Sequence, residues 1–339
     1  MADTVRLSLD DAERLAARAL QASGSSPDNA RSTARALVAA EADGQGGHGL
    51  TRVPSYAAQA RVGKVDGRAV PRLIGDAPAA RRIDAGAGFA YPAIDLAIDT
   101  LAELAPKAGT AAIAVFASHH FGQAGRHVER LAELGLVAFA FSNTPRAMAF
   151  HGAARARMGT NPLAFAAPIP GRAPLVIDMA LSVVARGRIV SAKARGEPIE
   201  PGWAVDADGE PTTDAAAALA GTLLPIGGAK GSALALMVEV LCAALAGANY
   251  GWEASAFLDA EGGPPRMGQL LIALDPGHFA GDGFAPRMAT LAAAVAEDGA
   301  RLPGDRRLAL RAKAGAEGLS IPAALHDQIA GLAAGRETA

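Results

Sequence analysis

The sequence predicts an α/β protein: a layered sheet-and-helix region in the middle of the chain, with helices from both ends folding back together as one discontinuous helical domain. Two observations carry this. Short apolar runs at 111–117, 136–142, 163–167, 175–178 and 269–274 are bounded by Gly, Pro, Asn or Asp and separated by helical stretches, as strands buried on both faces are. The ends of the chain are instead Ala-rich with helical periodicity. The expected divisions are 1–70 and 284–336 for the two parts of the helical domain and 71–283 for the α/β binding region.

Taken in order, Ser8-Leu9-Asp10-Asp11 has the form of a capped helix start, and Ser26-Pro27 places a hydroxyl at an N-cap and proline at the first helical position. Helices are expected at about 8–23 and 27–43, then a glycine break at 44–49, then a third helix at 50–62 ending at Gly63. The loop Ala85-Gly86-Ala87-Gly88 precedes a helix at 91–106, and further helices at 123–134 and 231–247 lie between the apolar runs. The helix at 231–247 is apolar nearly all round, with Glu239 its only charge, which predicts a core helix. The segment 196–222, rich in Pro, Asp, Gly and Thr, reads as a long surface excursion. Amphipathic helices are expected at 284–335, packed on the N-terminal pair.

With 339 residues, half of them apolar, the chain can bury a sizeable core. A net charge of -2 gives no electrostatic reason to expect a nucleic-acid or anionic-membrane partner. The one cysteine, Cys242, excludes internal disulfides and thiolate metal clusters, and no run approaches the roughly 20 apolar residues that span a bilayer. A cytoplasmic location is expected, since the N-terminus lacks the basic-then-apolar order of a signal peptide.

The most informative stretch is Gly47-His48-Gly49-Leu50-Thr51-Arg52. On a helix, His48 and Arg52 would face one small anion: the guanidinium grips a carboxylate with two parallel hydrogen bonds, and the imidazole exchanges a proton near neutral pH. That pair points to an enzyme acting on a small 2-oxo or 2-hydroxy acid. Residues 44–49 also match G-x-G-x-x-G, yet a helix rather than a strand is expected before them, which argues against a dinucleotide turn. Gly227-Gly228-Ala229-Lys230-Gly231-Ser232 reads equally as a phosphate-binding helix start or a plain turn. Three of the seven histidines, His119, His120 and His127, follow a predicted strand and open a helix, where open α/β sheets bind ligands. No metal is expected there, because Cys, Asp and Glu are missing at ligand spacing. Arg306 and Arg307, ahead of a helix, read as a solvated basic face or as a contact to nucleotide phosphate.

Gly47-His48-Gly49-x-x-Arg52, Ser118-His119-His120-Phe121-Gly122, Gly159-Thr160-Asn161-Pro162-Leu163-Ala164-Phe165, Leu175-Val176-Ile177-Asp178-Met179-Ala180, Ala185-Arg186-Gly187 and Gly228-x-Lys230-Gly231 follow one another in the order seen in the type-2 malate/L-lactate dehydrogenase family. That family also contains sulfolactate and ureidoglycolate dehydrogenases and piperideine-2-carboxylate reductases. The resemblance extends from about residue 5 to 335. It implies a non-Rossmann, mixed-sheet α/β/α domain, an NAD(P)-dependent oxidoreductase, and a homodimer with its active site near the interface. By position it makes His48 the first-ranked general acid in reduction and Arg52 the carboxylate ligand, with His120 catalytic beside the nicotinamide and substrate as a sharer of the proton transfer and the alternative donor. Phe121, Gly122, Gln123, Ala124, Thr160, Asp178, Met179, Ala180, Ala229, Lys230, Arg301, Gly304, Arg306 and Arg307 would hold NAD or NADP, and the two arginines tilt the expectation towards NADP.

Two departures bear on substrate. The cyclic-imine reductases of that family carry a serine immediately before the catalytic histidine and an acid shortly after the Ala-Arg-Gly turn; here these are Gly47 and Arg188. Arg186 and Arg188 add positive charge suited to a second anionic group, and 249–257 resembles the sulfolactate branch. The expected substrate is therefore a dianionic 2-hydroxy acid, 3-sulfolactate or malate, then lactate. A cyclic-imine reductase is the alternative, and a catalytically dead binding protein is disfavoured by the presence of His48, Arg52, His120 and Lys230 together.

Overall fold

The computed structural model describes residues 3–336. It opens with strand β1 (Thr4–Leu7), helix α1 (Leu9–Ala22) and helix α2 (Pro27–Ala42). The Ser8 and Ser26 hydroxyls accept from the backbone N–H groups of Asp11 and Asn29, so both predicted caps are formed. Helix α3 (Val53–Arg61) follows the glycine break, then β2 (Arg72–Ile74), β3 (Ala80–Asp84) and α4 (Ala90–Ala108). The α/β alternation continues with β4 (Thr110–Ser118), α5 (Ala124–Glu133) and β5 (Val137–Ser142). Next come β6 (Met148–Ala149), β7 (Ala156–Met158), β8 (Leu163–Ile169), β9 (Arg172–Met179) and α6 (Arg186–Arg195).

The segment read as an open excursion contains β10 (Ala204–Val205), β11 (Pro211–Thr212), α7 (Ala215–Ala220) and β12 (Thr222–Leu223). Its strands join β6 and β7 in a small five-stranded sheet. Two-residue strands are too short to show alternation, so the sequence signal was that of a loop. Helix α8 (Ala229–Glu239) runs on into a π-helical turn at Val240–Leu245, followed by β13 (Met267–Leu274), α9 (Phe284–Glu297), α10 (Asp305–Glu317), β14 (Leu319–Pro322) and α11 (Ala323–Ala333).

The main sheet has seven strands in the order β2-β3-β4-β13-β5-β8-β9. Only β3 and β4 pair in parallel, and the other neighbours are antiparallel, which excludes the parallel doubly wound arrangement of a Rossmann domain. Side-chain alternation divides the sheet's two faces. Ile113 and Val115 of β4, Ala138 and Ala140 of β5 and Leu271 of β13 pack on α4 and α5, forming one core. Ala114, Phe141 and Leu270 of the same strands face α8 and the small sheet, forming a second. The result is a three-layer α/β/α body.

A third core joins the two ends of the chain: Leu20, Leu37 and Tyr56 pack with Leu319, Ile321 and Ile329, and β1 pairs antiparallel with β14. Helix α11 packs on α1 and α3, and α10 on α2, whereas α9 lies against β8 of the main sheet. The tail therefore enters the helical layer at α10, not at 284.

Helix α8 also differs from its expectation. Its inner face is buried through Ala235, Val238 and Cys242, but Leu236, Val240 and Leu245 are 47%, 52% and 62% exposed. A helix apolar all round is here covered on one side only. No described helix is long and apolar enough to cross a membrane.

Candidate active site

The glycine break folds as two short 3-10 turns, Gly46–His48 and Leu50–Arg52, in place of the start of one regular helix. Glu41, at the end of α2, takes the N–H of Leu50 at 2.9 Å and passes close to Gly46 and Gly49, where side chains would collide with it. The turns nonetheless put His48 and Arg52 on one wall of a cleft of about 650 Å³, within the range of cofactor and substrate sites. Arg52 Nε donates to the Gly47 carbonyl at 2.6 Å, and its Nη1 is buried with no partner. A buried donor left unpaired costs about 1–3 kcal/mol, and this one is free to pair with an anion in the cleft.

Three predicted segments supply the rest of the cleft. The turn after β4 contributes His120, Phe121, Gly122 and Gln123, the turn after β9 contributes Asp178, Met179 and Ala180, and Thr160 and Arg186 close the wall. Gly122 holds φ at +71°, and a Cβ there would lie 2.6 Å from the Tyr91 hydroxyl, so only glycine fits. Asp178 accepts from the Gly125 N–H at 2.8 Å, capping α5, and burial holds its carboxyl above the usual range. The neighbouring floor is fixed by buried Glu239, which accepts from Asn143 and Asn161, both at 3.1 Å, and ties α8 to the loops carrying Thr144 and Thr160.

The histidines sort by partner. His119 Nε2 lies 2.8 Å from Gln59 Oε1 and His127 Nε2 lies 2.7 Å from the Phe121 carbonyl, so each donates there and is committed to structure. His48 and His120 face the cleft with rings stacked at 5.2 Å, and His48 Nδ1 is 3.2 Å from His120 Nε2. Behind them, His120 Nδ1 is 2.6 Å from the Tyr56 hydroxyl. Burial, then the charge of Arg52, lowers His48 to about 4 and His120 well below its ordinary value. Both rings are therefore neutral at rest near pH 7.

Not every predicted residue lies in the cleft. Ala124 is buried in the first turn of α5, and Ala229 and Lys230 stand exposed at the start of α8, outside the cleft lining. Arg301 and Arg306 are exposed, and Gly304 packs over the Val176 carbonyl of β9. Arg307 corrects its sequence reading: its guanidinium is buried against Glu129 at 2.7 Å and Asp43 at 3.1 Å, which takes it out of reach of a phosphate. Arg188 stacks over Trp203 at 4.7 Å, so of the two added cations only Arg186 lines the cleft.

One residue of the 249–257 stretch enters the site in a role that the sequence did not mark. Phe257 covers both His119 and His120, with ring centroids 5.1 and 5.2 Å away. Its loop is held by Gln59, which donates to the Phe257 carbonyl, and by buried Lys64, which donates to the Asp259 and Glu261 carbonyls.

Residues 7–330 match the family described as malate/L-lactate dehydrogenase. The chain belongs to that family. The dehydrogenase is 50% identical over 331 residues to (2R)-3-sulfolactate dehydrogenase (NADP(+)) of Chromohalobacter salexigens, covering 97% of this chain and 98% of the other. It is 40% identical over 336 residues to Δ1-pyrroline-2-carboxylate reductase of Ancylobacter novellus, covering 98% of each. Among solved structures, Δ1-piperideine-2-carboxylate reductase from Pseudomonas syringae superposes with a TM-score of 0.92 at 40% identity, covering 97% of this chain and all of the other (100%). The chain is thus an oxidoreductase with the fold of these enzymes.

Proposed function

We propose that this dehydrogenase transfers hydride between NADP(H) and a small 2-oxo or 2-hydroxy acid bearing a second anionic group, with 3-sulfolactate and its oxo acid first, malate and oxaloacetate next, and lactate last. The observation that carries the reading is a cleft holding one proton-exchanging imidazole and two guanidiniums without carboxylate partners among the described residues, Arg52 and Arg186.

When bound, the nicotinamide supplies or accepts the hydride. Arg52 holds the carboxylate with its unpaired Nη1 and fixes which face of the 2-carbon is presented. His48 Nε2 gives the proton to the developing alkoxide in reduction and takes it back in oxidation. The turn from His120 to Gln123, Thr160 and the turn Asp178-Met179-Ala180 would hold the cofactor, and exposed Arg301 and Arg306 would meet its phosphates. Arg186 would pair with the sulfonate or second carboxylate. The similarity to an NADP(+)-dependent sulfolactate enzyme supports both choices.

Gly47 supplies no hydroxyl next to His48, and Arg188 is turned to Trp203, which disfavours protonation of a ring imine. Similarity to the imine reductases makes that reaction the alternative to be tested. Oxidation of NADPH should be followed with sulfopyruvate, oxaloacetate, pyruvate and Δ1-piperideine-2-carboxylate. The proposal requires the two dianionic oxo acids to be turned over fastest, and faster turnover of the cyclic imine would replace it.

The same reading includes a homodimer. The outward face of α8 and its π-helical turn is apolar, and Leu291 of α9 and Phe279 are 50% and 66% exposed. A second copy of the chain is the proposed cover for this surface.

A further inference from the structure

Tyr56 does not line the cleft, yet it ends a continuous series of polar contacts that reaches it. Its ring is fully buried, packed against Phe89, Tyr91 and His119. Its hydroxyl lies 2.6 Å from His120 Nδ1 and 3.3 Å from the Tyr91 hydroxyl, and His120 Nε2 in turn lies 3.2 Å from His48 Nδ1. The only nitrogen of the two rings without a protein partner among the described residues is His48 Nε2. We propose that Tyr56 is a positioning residue for the hydride-transfer chemistry: by accepting the Nδ1–H of His120 it turns the Nε2 lone pair of His120 towards His48, and so fixes His48 Nε2 as the atom that exchanges the proton.

A neutral imidazole has one N–H and one lone pair, so the series has two polarities. If Tyr56 donated to His120 Nδ1, His120 would point its Nε2–H at His48 Nδ1, and His48 would show the cleft an N–H. That ring has no lone pair for the proton of a substrate alcohol, and a neutral imidazole is too weak an acid to protonate an alkoxide and become imidazolate.

With Tyr56 accepting, His48 donates Nδ1–H to His120 and shows the cleft a lone pair. In oxidation the C–H bond at the 2-carbon breaks, its hydride leaves with two electrons for the nicotinamide, the hydroxyl proton passes to His48 Nε2, and the carbonyl forms. In reduction the imidazolium returns that proton to the oxygen. The Tyr56 hydroxyl proton is free in this polarity to point at Tyr91.

The titratable and charged groups acting on His120 are Arg52, His48, His119 and His127, with no carboxylate among them. A neutral hydroxyl thus holds the place that aspartate takes in a Ser-His-Asp triad, where the third residue fixes the tautomer without being protonated. A hydroxyl orients the ring but adds no negative charge, in keeping with rings that rest neutral.

The role of His48 rests on the dehydrogenase reading above, but the tautomer does not, so the two fail separately. Two-bond proton–nitrogen spectra of histidine-labelled enzyme, with His120 assigned through His120→Asn, read the tautomer without substrate. The expected result is an Nδ1-protonated His120 in the unaltered enzyme, lost in Tyr56→Phe. The same variant should lower kcat in both directions by roughly ten- to a hundredfold, part of the 10²–10⁴ of a complete acid–base group, with KM unchanged and a cooperative melting transition retained. An Nε2-protonated His120 in the unaltered enzyme, or full kcat in folded Tyr56→Phe, overturns the proposal. Should Tyr56→Phe not fold, the tautomer of the unaltered enzyme decides.

Discussion

In the proposed reaction His48 carries the proton. Replacing this residue with alanine removes the one ring nitrogen of His48 and His120 without a partner among the described residues, and turnover should fall by roughly two to four orders of magnitude, with NADPH affinity, measured by fluorescence titration, little changed. Because burial and Arg52 hold His48 at about 4, only a small fraction of the free enzyme carries the proton needed for reduction at neutral pH. In the reducing direction kcat/KM should therefore drop about tenfold for each unit of rising pH, whereas in the oxidising direction it should stay flat until the pH approaches that value. At this scale the sequence marked two short stretches, Gly47 to Arg52 and Ser118 to Gly122, that the fold brings to one cleft. Tyr56, four residues beyond Arg52, is equally visible, but a tyrosine among alanines in a helix reads as core until its hydroxyl is seen against His120.

Among the elements, the tightest polar tie joins α2, α5 and α10. Asp43 and Glu129 are buried and meet Arg307 and Arg311 in four ion pairs of 2.7 to 3.1 Å, while Gln123 of the cleft turn donates to Asp43 at 2.8 Å. Burial favours a neutral Glu129, but the guanidiniums outweigh it and hold the carboxyl at about 2. Removing one member leaves charge uncompensated, so Asp43→Ala should cost about 3–5 kcal/mol in denaturant unfolding. It should also weaken NADPH binding by loosening Gln123. No local pattern shows this tie, because its members are 178 and 264 residues apart along the chain. That separation is why Arg307 reads, from sequence alone, as a solvated basic face or a phosphate contact. The longer strands and helices were legible because their periodicity spans several turns or pleats, and the two-residue strands β10 to β12 were not.

For the whole molecule, the surface proposed to meet a second copy is the exposed apolar face of α8, π-turn included. Sedimentation should give a dimer for the unaltered chain, and Val240→Asp with Leu245→Glu should shift it to monomer, since two charges buried at an apolar contact lack partners. A monomer at micromolar concentration in the unaltered protein would contradict the dimer. Composition announced an apolar helix here, but only the packed structure separates the side facing Ala114 and Phe141 from the side facing outward.

We propose that Arg52 and Arg186, both lining one cleft, select a substrate with two negative charges. The most direct measurement is the ratio of kcat/KM for sulfopyruvate to that for pyruvate, in the unaltered enzyme and in Arg186→Ala. Loss of a hydrogen bond to a charged group costs about 1.5–3 kcal/mol, so the ratio should collapse by roughly ten- to a hundredfold through the sulfopyruvate value alone. An unchanged ratio, or equal losses on both substrates, would contradict the account.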